Sequence, residues 1–296
     1  MNDMSPSDFE QVLTPGMERV SCDLCRADDT EMVLQQRDQL FRVTNEEFSI
    51  VRCRRCGLVY LNPRPSQISI SRYYPTSYYP PVTVKVRRPA QSQAKQWSAR
   101  IKRWVLEDYY GYPSSNADGL TRALRRMLLW PLKTWRELKG RCPVPWRGEG
   151  EALDIGCGAG GNLKILQDQG WKVSGVEISE VAAVHARRLI DGQIHIGTVD
   201  TASLGEKTFD LILMSHSLEH LPSPVETLRR VHRLLRDEGL LIVTVPNIKS
   251  LERRLFGFWW FHWDPPRHFY HFDRDTLSRA MSQARFQPVH LRTGVG

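Results

Sequence analysis

The chain has 296 residues, of which 41% are hydrophobic, and a formal net charge of +8 at pH 7. This length and apolar content suffice for one large domain with a sizeable core and a smaller unit beside it. No apolar run approaches the ~20 residues of a membrane-spanning helix, and the polar first ten residues lack the apolar stretch of a signal peptide. We therefore expect a chain that neither spans a membrane nor carries a signal peptide, and we expect it to be cytoplasmic.

Residues 1–20 are expected to form a flexible leader, and residues 21–65 a module organised by two C-x-x-C pairs. Paired cysteines in a cytosolic chain more often bind metal than form disulfides. Each pair bends the backbone so that two thiolates face one point, and two pairs complete a tetrahedron. The predicted ligands of a structural zinc ion are Cys22, Cys25, Cys53 and Cys56.

The stretch between the two cysteine pairs fits a β-hairpin formed by residues 32–34 and 48–52. A unit of about 45 residues has little hydrophobic core, so zinc binding is expected to supply its folding free energy. Four protein ligands leave no open coordination position, which indicates a structural role for the metal and not a catalytic one.

Residues 66–147 form a basic and aromatic insert that we expect to be helical. Positions 85–147 alone hold 15 Lys and Arg against 4 Asp and Glu, so only this segment needs an electrostatic explanation. Two apolar stripes are expected to pack as a cap on the domain that follows, with solvated charges beside them. One stripe contains Trp97, Ile101, Trp104 and Val105, and the other Leu120, Leu124, Met127 and Leu128.

Three other interpretations of the insert remain open. It could contact an anionic membrane surface through its amphipathic helices. It could bind RNA through phosphate contacts and base stacking. It could form a lid whose arginines and tyrosines hold an anionic sugar nucleotide.

Residues 148–296 are assigned to one α/β domain, because short apolar runs alternate there with amphipathic stretches. Strands are expected at 152–155, 172–176, 209–214 and 240–245, with the start of one more at 289–291. Helices are expected at 162–169, at 181–189, from Pro224 to Gly239 with a cap from Ser223 and Glu226, and after Asp273.

The strongest functional signal is the run Leu153-Asp154-Ile155-Gly156-Cys157-Gly158-Ala159-Gly160-Gly161. Glycines between a strand and a helix let the backbone approach a ligand closely. A carboxylate at Asp154 would repel the pyrophosphate of a dinucleotide but suits a cationic ligand such as S-adenosylmethionine (SAM). Glu177, 21 residues after Gly156, can accept hydrogen bonds from both ribose hydroxyls.

These residues carry a resemblance to class I SAM-dependent methyltransferases. The run from Asp154 to Gly160 resembles their motif I, and Glu177 resembles their ribose-binding acid. The segment Ser215-His216-Ser217-Leu218-Glu219-His220-Leu221 resembles the LEH segment of the subfamily that includes ubiquinone-type and sugar methyltransferases. The resemblance implies an enzyme with a Rossmann-like doubly wound sheet. The implied SAM-binding residues are Asp154, Gly156, Gly158, Gly160, Glu177, Asp200 and Ser215.

Two further features bear on the resemblance. The family fold closes with an antiparallel hairpin, and the chain is expected to end within it. Four-cysteine zinc-ribbon modules precede the methyltransferase domain in some sugar C-methyltransferases, and the pairs Tyr73-Tyr74 and Tyr78-Tyr79 fit that type.

Methyl transfer needs an aligned nucleophile and often a general base. His220, oriented by Glu219, is the first candidate, and His268 is the second. His216 and Arg267 are candidate substrate contacts. The alternatives are that His220 only bonds the backbone, that Arg267 forms a surface ion pair, and that His216, Glu219 and His220 bind a divalent ion.

The sequence therefore predicts methyl transfer to an oxygen or carbon of a small polar acceptor of sugar or glycan-pathway type. An RNA methyltransferase that grips RNA with the zinc ribbon and the basic insert is the second hypothesis. A non-catalytic binding protein that kept the SAM fold is the third. Peripheral contact with a membrane surface is kept as a hypothesis about partners.

Overall fold

The N-terminal module is an antiparallel sheet built around the cysteine pairs. The computed structural model describes residues 15–75, 78, 93–114, 118–138 and 143–294, so the leader up to residue 14 and Tyr79 lie outside the described residues. The strands are β1 (Met17–Glu18), β2 (Thr30–Arg37), β3 (Glu47–Cys53), β4 (Val59–Leu61) and β5 (Arg64–Pro65). The predicted hairpin is confirmed as β2 and β3, and β4 extends it. The expected leader is too long by several residues, since β1 pairs with β5.

Two long helices follow, α1 (Gln93–Tyr110) and α2 (Gly119–Leu138). They pack against each other through polar contacts, including a 2.7 Å ion pair between Arg125 and Asp108. The second predicted stripe does not pack on the neighbouring domain, which corrects the expectation of a cap. Leu120, Leu124, Met127 and Leu128 are 73, 50, 67 and 73% exposed, because the arginine-bearing side of α2 turns toward α1.

The large domain contains a five-stranded parallel sheet with helices around it. Its strands are β6 (Glu151–Ile155), β7 (Lys172–Glu177), β8 (Gln193–Ile196), β9 (Phe209–Ser215) and β10 (Leu235–Thr244). Their spatial order is β10-β9-β6-β7-β8 and all pairs are parallel, so the order in which successive strands are added reverses between β6 and β9. The connecting helices are α3 (Gly161–Gln167), α4 (Glu180–Leu189) and α5 (Pro224–Leu234). This is the predicted Rossmann-like architecture.

Two boundaries in this domain differ from the prediction. Helix α5 ends at Leu234 and β10 begins at once, since Leu234 and Leu235 are both buried and Leu235 already pairs with Phe209. The polar residues up to Gly239 form an irregularity inside the strand, not the end of the helix.

The expected last strand at 289–291 is absent from the described chain. Residues 287–294 run instead beside β10, separated from it by a groove of about 1370 Å³. Asn247 Nδ2 donates to Thr293 Oγ1 over 3.1 Å at one end of this groove.

The C-terminal region joins the large domain to the zinc module. It comprises α6 (Leu251–Phe256), the short strand β11 (Tyr270–His271) and α7 (Arg274–Gln283), which Asp273 caps as predicted. Strand β11 pairs with β4, so the sheet of the module has the order β11-β4-β3-β2. One continuous hydrophobic core includes Phe48 and Leu61 of the module and Leu153 of the parallel sheet. The two predicted domains are therefore packed as one body.

No helix in the described ranges is long and apolar enough to cross a membrane.

Candidate active site

The glycine-rich loop follows β6 at the point where the strand order reverses. Ligands of open α/β sheets bind at this position, beyond the carboxyl ends of the strands. The amide groups of Gly156 and Cys157 both donate to the carbonyl of Val176, at 2.8 and 3.1 Å, which ties the loop to the neighbouring strand. Backbone strain is absorbed by glycine, since Gly156, Gly158 and Gly160 all have positive φ angles.

Each of these three glycines faces a different environment. A Cβ atom on Gly156 would lie 2.7 Å from Cβ of Ser217, so no side chain fits there. A Cβ on Gly160 would lie 3.1 Å from Ala186 of α4, so this glycine serves close helix packing. A Cβ on Gly158 would meet nothing within 4 Å, which leaves its backbone open toward a ligand.

Two buried carboxylates flank the loop. Asp154 is fully buried, and the side chain of Asn162 lies beside its carboxylate as a hydrogen-bonding group. Burial raises the pKa of Asp154 to about 7. A buried carboxylate that is not paired with a cation is costly, so a cationic ligand beside it would be stabilised.

Glu177 ends β7 and turns its carboxylate into the loop. Its oxygens accept from the amides of Gly158 and Ser179, each over 2.8 Å. The acid is thereby held at the rim of the loop, where hydroxyl groups of a ribose could reach it. The other two predicted SAM contacts follow neighbouring strands: Ser215 ends β9, and Asp200 is exposed beyond β8.

The LEH segment lies directly beside the glycine loop. Ser217, whose Cβ fills the space next to Gly156, begins a 3-10 turn over Leu218–His220. Glu219 in this turn is fully buried, and its nearest basic group is Nδ1 of His216 at 3.4 Å. Glu219 raises the pKa of His216, which is half exposed and has a left-handed φ of 53°.

His220 and His268 lie together, with ring centroids 4.6 Å apart and planes at 74°. Nδ1 of His220 is 2.9 Å from the carbonyl of Arg267, and Nδ1 of His268 is 2.9 Å from the carbonyl of His262. A carbonyl accepts only from N–H, so Nδ1 carries the proton in both rings and Nε2 is a proton acceptor. Burial lowers the pKa of His220 to about 4 and that of His268 to about 3, so both are neutral near pH 7.

The orientation of His220 differs from the prediction. The backbone carbonyl of Arg267 fixes the ring, whereas Glu219 contacts His216. Ligand atoms of Glu219, His220 and His268 nevertheless lie within 4.8 Å of one another, a spacing that could hold a metal ion. The sequence suggested His216, Glu219 and His220 as alternative ligands of a divalent ion. In the structure, His268 takes the place of His216 in this group.

Arg267 is not a substrate contact, which corrects the prediction, and it is not a surface ion pair either. Its side chain is fully buried, with Nη2 2.6 Å from Asp38 Oδ1 and 2.5 Å from Asp264 Oδ1. Nη1 also donates to the carbonyl of Tyr73 over 3.0 Å. The guanidinium therefore joins the zinc module to the loop before β11 and has no surface available for a ligand.

Sequence reasoning missed three aromatic residues of this site. The hydroxyl of Tyr74 lies 3.2 Å from Nδ1 of His220, and the ring of Tyr78 packs edge-on to the same imidazole at 6.4 Å. The ring of His262 stacks on His216 and on His268, at 6.2 and 6.3 Å. The tyrosine pairs were visible in the sequence, but only the tertiary structure shows that Tyr74 and Tyr78 reach His220.

The four module cysteines converge as predicted. Their sulfur atoms all lie within 4.8 Å of one another, with Cys22 to Cys56 at 3.3 Å and Cys25 to Cys53 at 3.4 Å. Tetrahedral zinc with Zn–S bonds of about 2.3 Å needs sulfur separations of about 3.8 Å, so the cluster fits the ion.

A residue between two of these cysteines reaches the large domain. Asp23 is buried, and its Oδ2 accepts from the amide of Val225 at the start of α5, over 2.9 Å. Ser223 occupies the N-cap position, as predicted, but it makes no side-chain cap bond. The module therefore caps the helix that follows the LEH turn, at the end where a negative charge is stabilising.

Comparison with known proteins agrees with this geometry. A family model described as methyltransferase domain matches residues 122–291. The ubiquinone biosynthesis O-methyltransferase of Histophilus somni is 34% identical over 110 residues, which cover 33% of this chain and 46% of that protein. The 2-methyl-6-phytyl-1,4-hydroquinone methyltransferase of a Synechocystis strain is 26% identical over 112 residues, covering 36% and 35%.

A solved SAM-dependent methyltransferase of Archaeoglobus fulgidus aligns with a TM-score of 0.42 and 23% identity, covering 54% of this chain and 69% of that one. The chain spans less than half the length of the curated relatives named above. The family match, by contrast, extends over more than half of this chain. The chain therefore belongs to the methyltransferase-domain family.

Proposed function

We propose that the protein is a SAM-dependent methyltransferase that acts on a hydroxyl oxygen of a small polar acceptor, of sugar or glycan-pathway type. The observation that carries the proposal is the contact between the glycine loop and the LEH turn, at Gly156 and Ser217. His220, a proton-accepting imidazole, belongs to the same turn as Ser217, which supports an acceptor site beside the nucleotide-type site. An O-methylation needs these two functions side by side.

The residues of the loop fit SAM. Asp154 offers a buried carboxylate for a cationic group, Glu177 offers oxygens for ribose hydroxyls, and Gly158 leaves space for the ligand. When bound, SAM supplies an activated methyl group with a good leaving group already attached to it. The protein then has only to align the acceptor and receive its proton.

His220 is suited to receive that proton. Its Nε2 is unprotonated because the Arg267 carbonyl holds the proton on Nδ1. Burial lowers the pKa of His220 to about 4, and the neighbouring Glu219 carboxylate acts in the opposite direction, which favours the imidazolium that forms. His268, 4.6 Å away, is the second candidate base.

The walls around His220 favour a ring-shaped polar acceptor. The rings of Tyr74 and Tyr78 lie beside the imidazole and could pack on a sugar face, while His216 is half exposed and could bond hydroxyls. A quinol-type acceptor is the second candidate, because two relatives are named for methylation in ubiquinone and phytyl-hydroquinone synthesis. The same aromatic walls suit a phenolic ring.

Transfer of labelled methyl from SAM into a cell extract, separated into small-molecule, lipid and RNA fractions, distinguishes these acceptors. Label in sugar-nucleotide or glycan intermediates supports the proposal, and label in quinols supports the second candidate. Label in RNA would favour an RNA methyltransferase. Tight SAM binding without transfer to any fraction would favour a non-catalytic binding protein.

Replacement of the base tests the assignment of His220. We expect His220→Ala to lower the transfer rate by about 10²–10⁴-fold while SAM affinity stays within a factor of a few. His232→Ala, which removes an exposed imidazole of α5, is the matched control. An unchanged rate in His220→Ala would exclude this histidine as the base and turn attention to His268.

We expect the affinity for SAM to depend on pH through the protonation of Asp154. Because its pKa is about 7 in the free protein and a cation stabilises the carboxylate, affinity should fall as pH drops through 7. The limit is about tenfold per pH unit. Titration calorimetry from pH 5.5 to 8 should show this slope in the wild type, and a weaker, flatter dependence in Asp154→Asn. A pH-independent wild-type affinity would contradict the role of Asp154.

A further inference from the structure

The outer face of α2 is an apolar surface that nothing in the described protein covers. Its members recur at helical spacing and are exposed by half or more: Leu120, Leu124, Met127, Leu128 and Trp130. Large contiguous apolar surfaces on a soluble protein mark contact sites for another molecule. An amphipathic helix of a soluble protein usually packs its apolar side against the core, and α2 does not.

The orientation of α2 is fixed by specific contacts on its other face. Arg125 forms a 2.7 Å ion pair with the buried carboxylate of Asp108 and lies over the ring of Trp104 at 5.3 Å. The hydroxyl of Tyr110 on α1 donates to Glu137 over 2.9 Å. Rotating α2 to bury the leucines would break these contacts, so the outward display of the apolar face is built into the helix pair.

The charge around this face identifies the kind of surface that it suits. Residues 118–138 hold five Lys and Arg against two Asp and Glu, and residues 93–110 hold four against two. Of these cations, Arg100, Lys102, Arg103, Arg122 and Arg126 are exposed. An aliphatic face with an exposed tryptophan, backed by an excess of positive charge, matches a helix that lies in the plane of an anionic bilayer.

Nucleic acid fits this surface less well. Binding to RNA requires cations and stacking rings on one face, whereas here Arg125 and Arg126 turn toward Trp104 and Tyr109 of α1, and the outer face is mainly aliphatic. Since no described helix can span a membrane, attachment would be to the surface only.

We propose that the helix pair 93–138 attaches the protein peripherally to membranes that contain anionic lipid, with the outer face of α2 inserted among the lipid headgroups. The inference does not depend on the proposed methyl acceptor. It assigns a partner to a helical stripe whose apolar residues are left in water.

Vesicle flotation with the full-length protein tests this assignment. Vesicles of phosphatidylcholine alone are compared with vesicles in which about one third is phosphatidylglycerol, at low and high salt. We expect binding to the anionic vesicles that weakens with salt, and a blue shift of tryptophan emission on binding. The triple variant Leu124→Gln, Met127→Gln, Leu128→Gln should lose binding by about tenfold or more.

A matched triple variant controls for the loss of exposed apolar residues in general. It carries Ile68→Gln, Ile165→Gln and Val289→Gln, at positions 93, 58 and 85% exposed outside the helix pair, and should bind as the wild type does. Circular dichroism and thermal unfolding check that both variants fold. Absence of wild-type binding, equal binding to neutral vesicles, or full binding by the α2 variant would each overturn the proposal. A wild-type dimer that the α2 variant converts to monomer, without vesicle binding, would instead make this face a protein interface.

Discussion

The four-cysteine module and the helix pair are both additions to the parallel sheet, and they are attached in opposite ways. The module shares a core and a β-sheet with the large domain and is joined to it by the Arg267–Asp38 ion pair. The helix pair contacts the large domain mainly near Tyr112, which accepts from Trp171 Nε1 over 2.9 Å. The comparison teaches that apolar content does not tell whether a segment is integrated. What matters is whether its apolar side chains have partners within the chain.

Disruption of the four-cysteine cluster, the expected zinc site, should have the largest effect. Cys53→Ser removes a fully buried ligand, and because the module and the sheet share one core, we expect the whole body to unfold together or fail to fold. Zinc content by emission spectroscopy and thermal unfolding measure this. Cys157→Ser, which alters a buried thiol outside the cluster, should keep its zinc. Two separate unfolding transitions in Cys53→Ser would show that module and domain are independent after all.

Breaking the buried ion pair between the two parts should rank next. Arg267→Met leaves Asp38 and Asp264 without a cation in the interior, and we expect a loss of about 3–5 kcal/mol in the free energy of unfolding. Urea denaturation measures it. The control Arg229→Met removes an exposed partner of Glu226 and should cost less than about 1 kcal/mol. Equal effects of the two variants would refute the joining role of Arg267.

Acidification should weaken the packing between the four-cysteine module and the C-terminal region, where β11 pairs with β4. Burial lowers the pKa of His271 on β11 to about 3, whereas the unfolded chain takes up a proton below about 6.5. Between pH 7 and 5, His271 should therefore cost roughly 1–2 kcal/mol of stability. Asp154 and Asp264, whose pKa values are raised to about 7 and 6, act in the opposite direction.

The difference between wild type and His271→Gln in their pH dependence isolates the contribution of this histidine. Denaturation of both proteins at pH 7 and pH 5 gives that difference. If the two proteins change by the same amount, His271 is not held neutral at the junction.

Replacement of a leucine by alanine in the module and in α2 compares the two regions directly. The change in the free energy of unfolding should be smallest for the variant in α2. Leu61→Ala in the module should cost about 2–5 kcal/mol, because the side chain is fully buried. Leu124→Ala on α2 should change the free energy of unfolding by less than about 0.5 kcal/mol, because its side chain is half exposed. Urea denaturation of both variants makes the comparison. A large loss in Leu124→Ala would mean that α2 is covered by the protein itself.

The features that the sequence predicted correctly depend on local patterns. The glycine loop, Asp154 and Glu177 are set by the strand-turn-helix unit that contains them, and the four cysteines by the spacing within each pair. The site around His220 was predicted only in part, since the residues that orient it come from distant segments. Tyr74 lies 146 positions away and Arg267 lies 47 positions away.

The errors share a physical cause. Periodicity shows which face of α2 is apolar, but not what that face packs against. Arg267 resembled a ligand contact because its partner Asp38 is 229 positions away, between two strands of the module. The helix cap at α5 was assigned to Ser223 because Asp23, the residue that provides it, is 202 positions away.

The pairing of β4 with β11 also bears on how the chain is made. Tyr60 pairs with Tyr270, so the module obtains its last strand only after about 210 further residues have been synthesised. At about 5–20 residues per second, the edge of β4 waits roughly 10–40 seconds for its partner. Such non-local pairing slows folding, and during this interval the exposed strand edge is the part of the nascent chain most in need of protection by a chaperone.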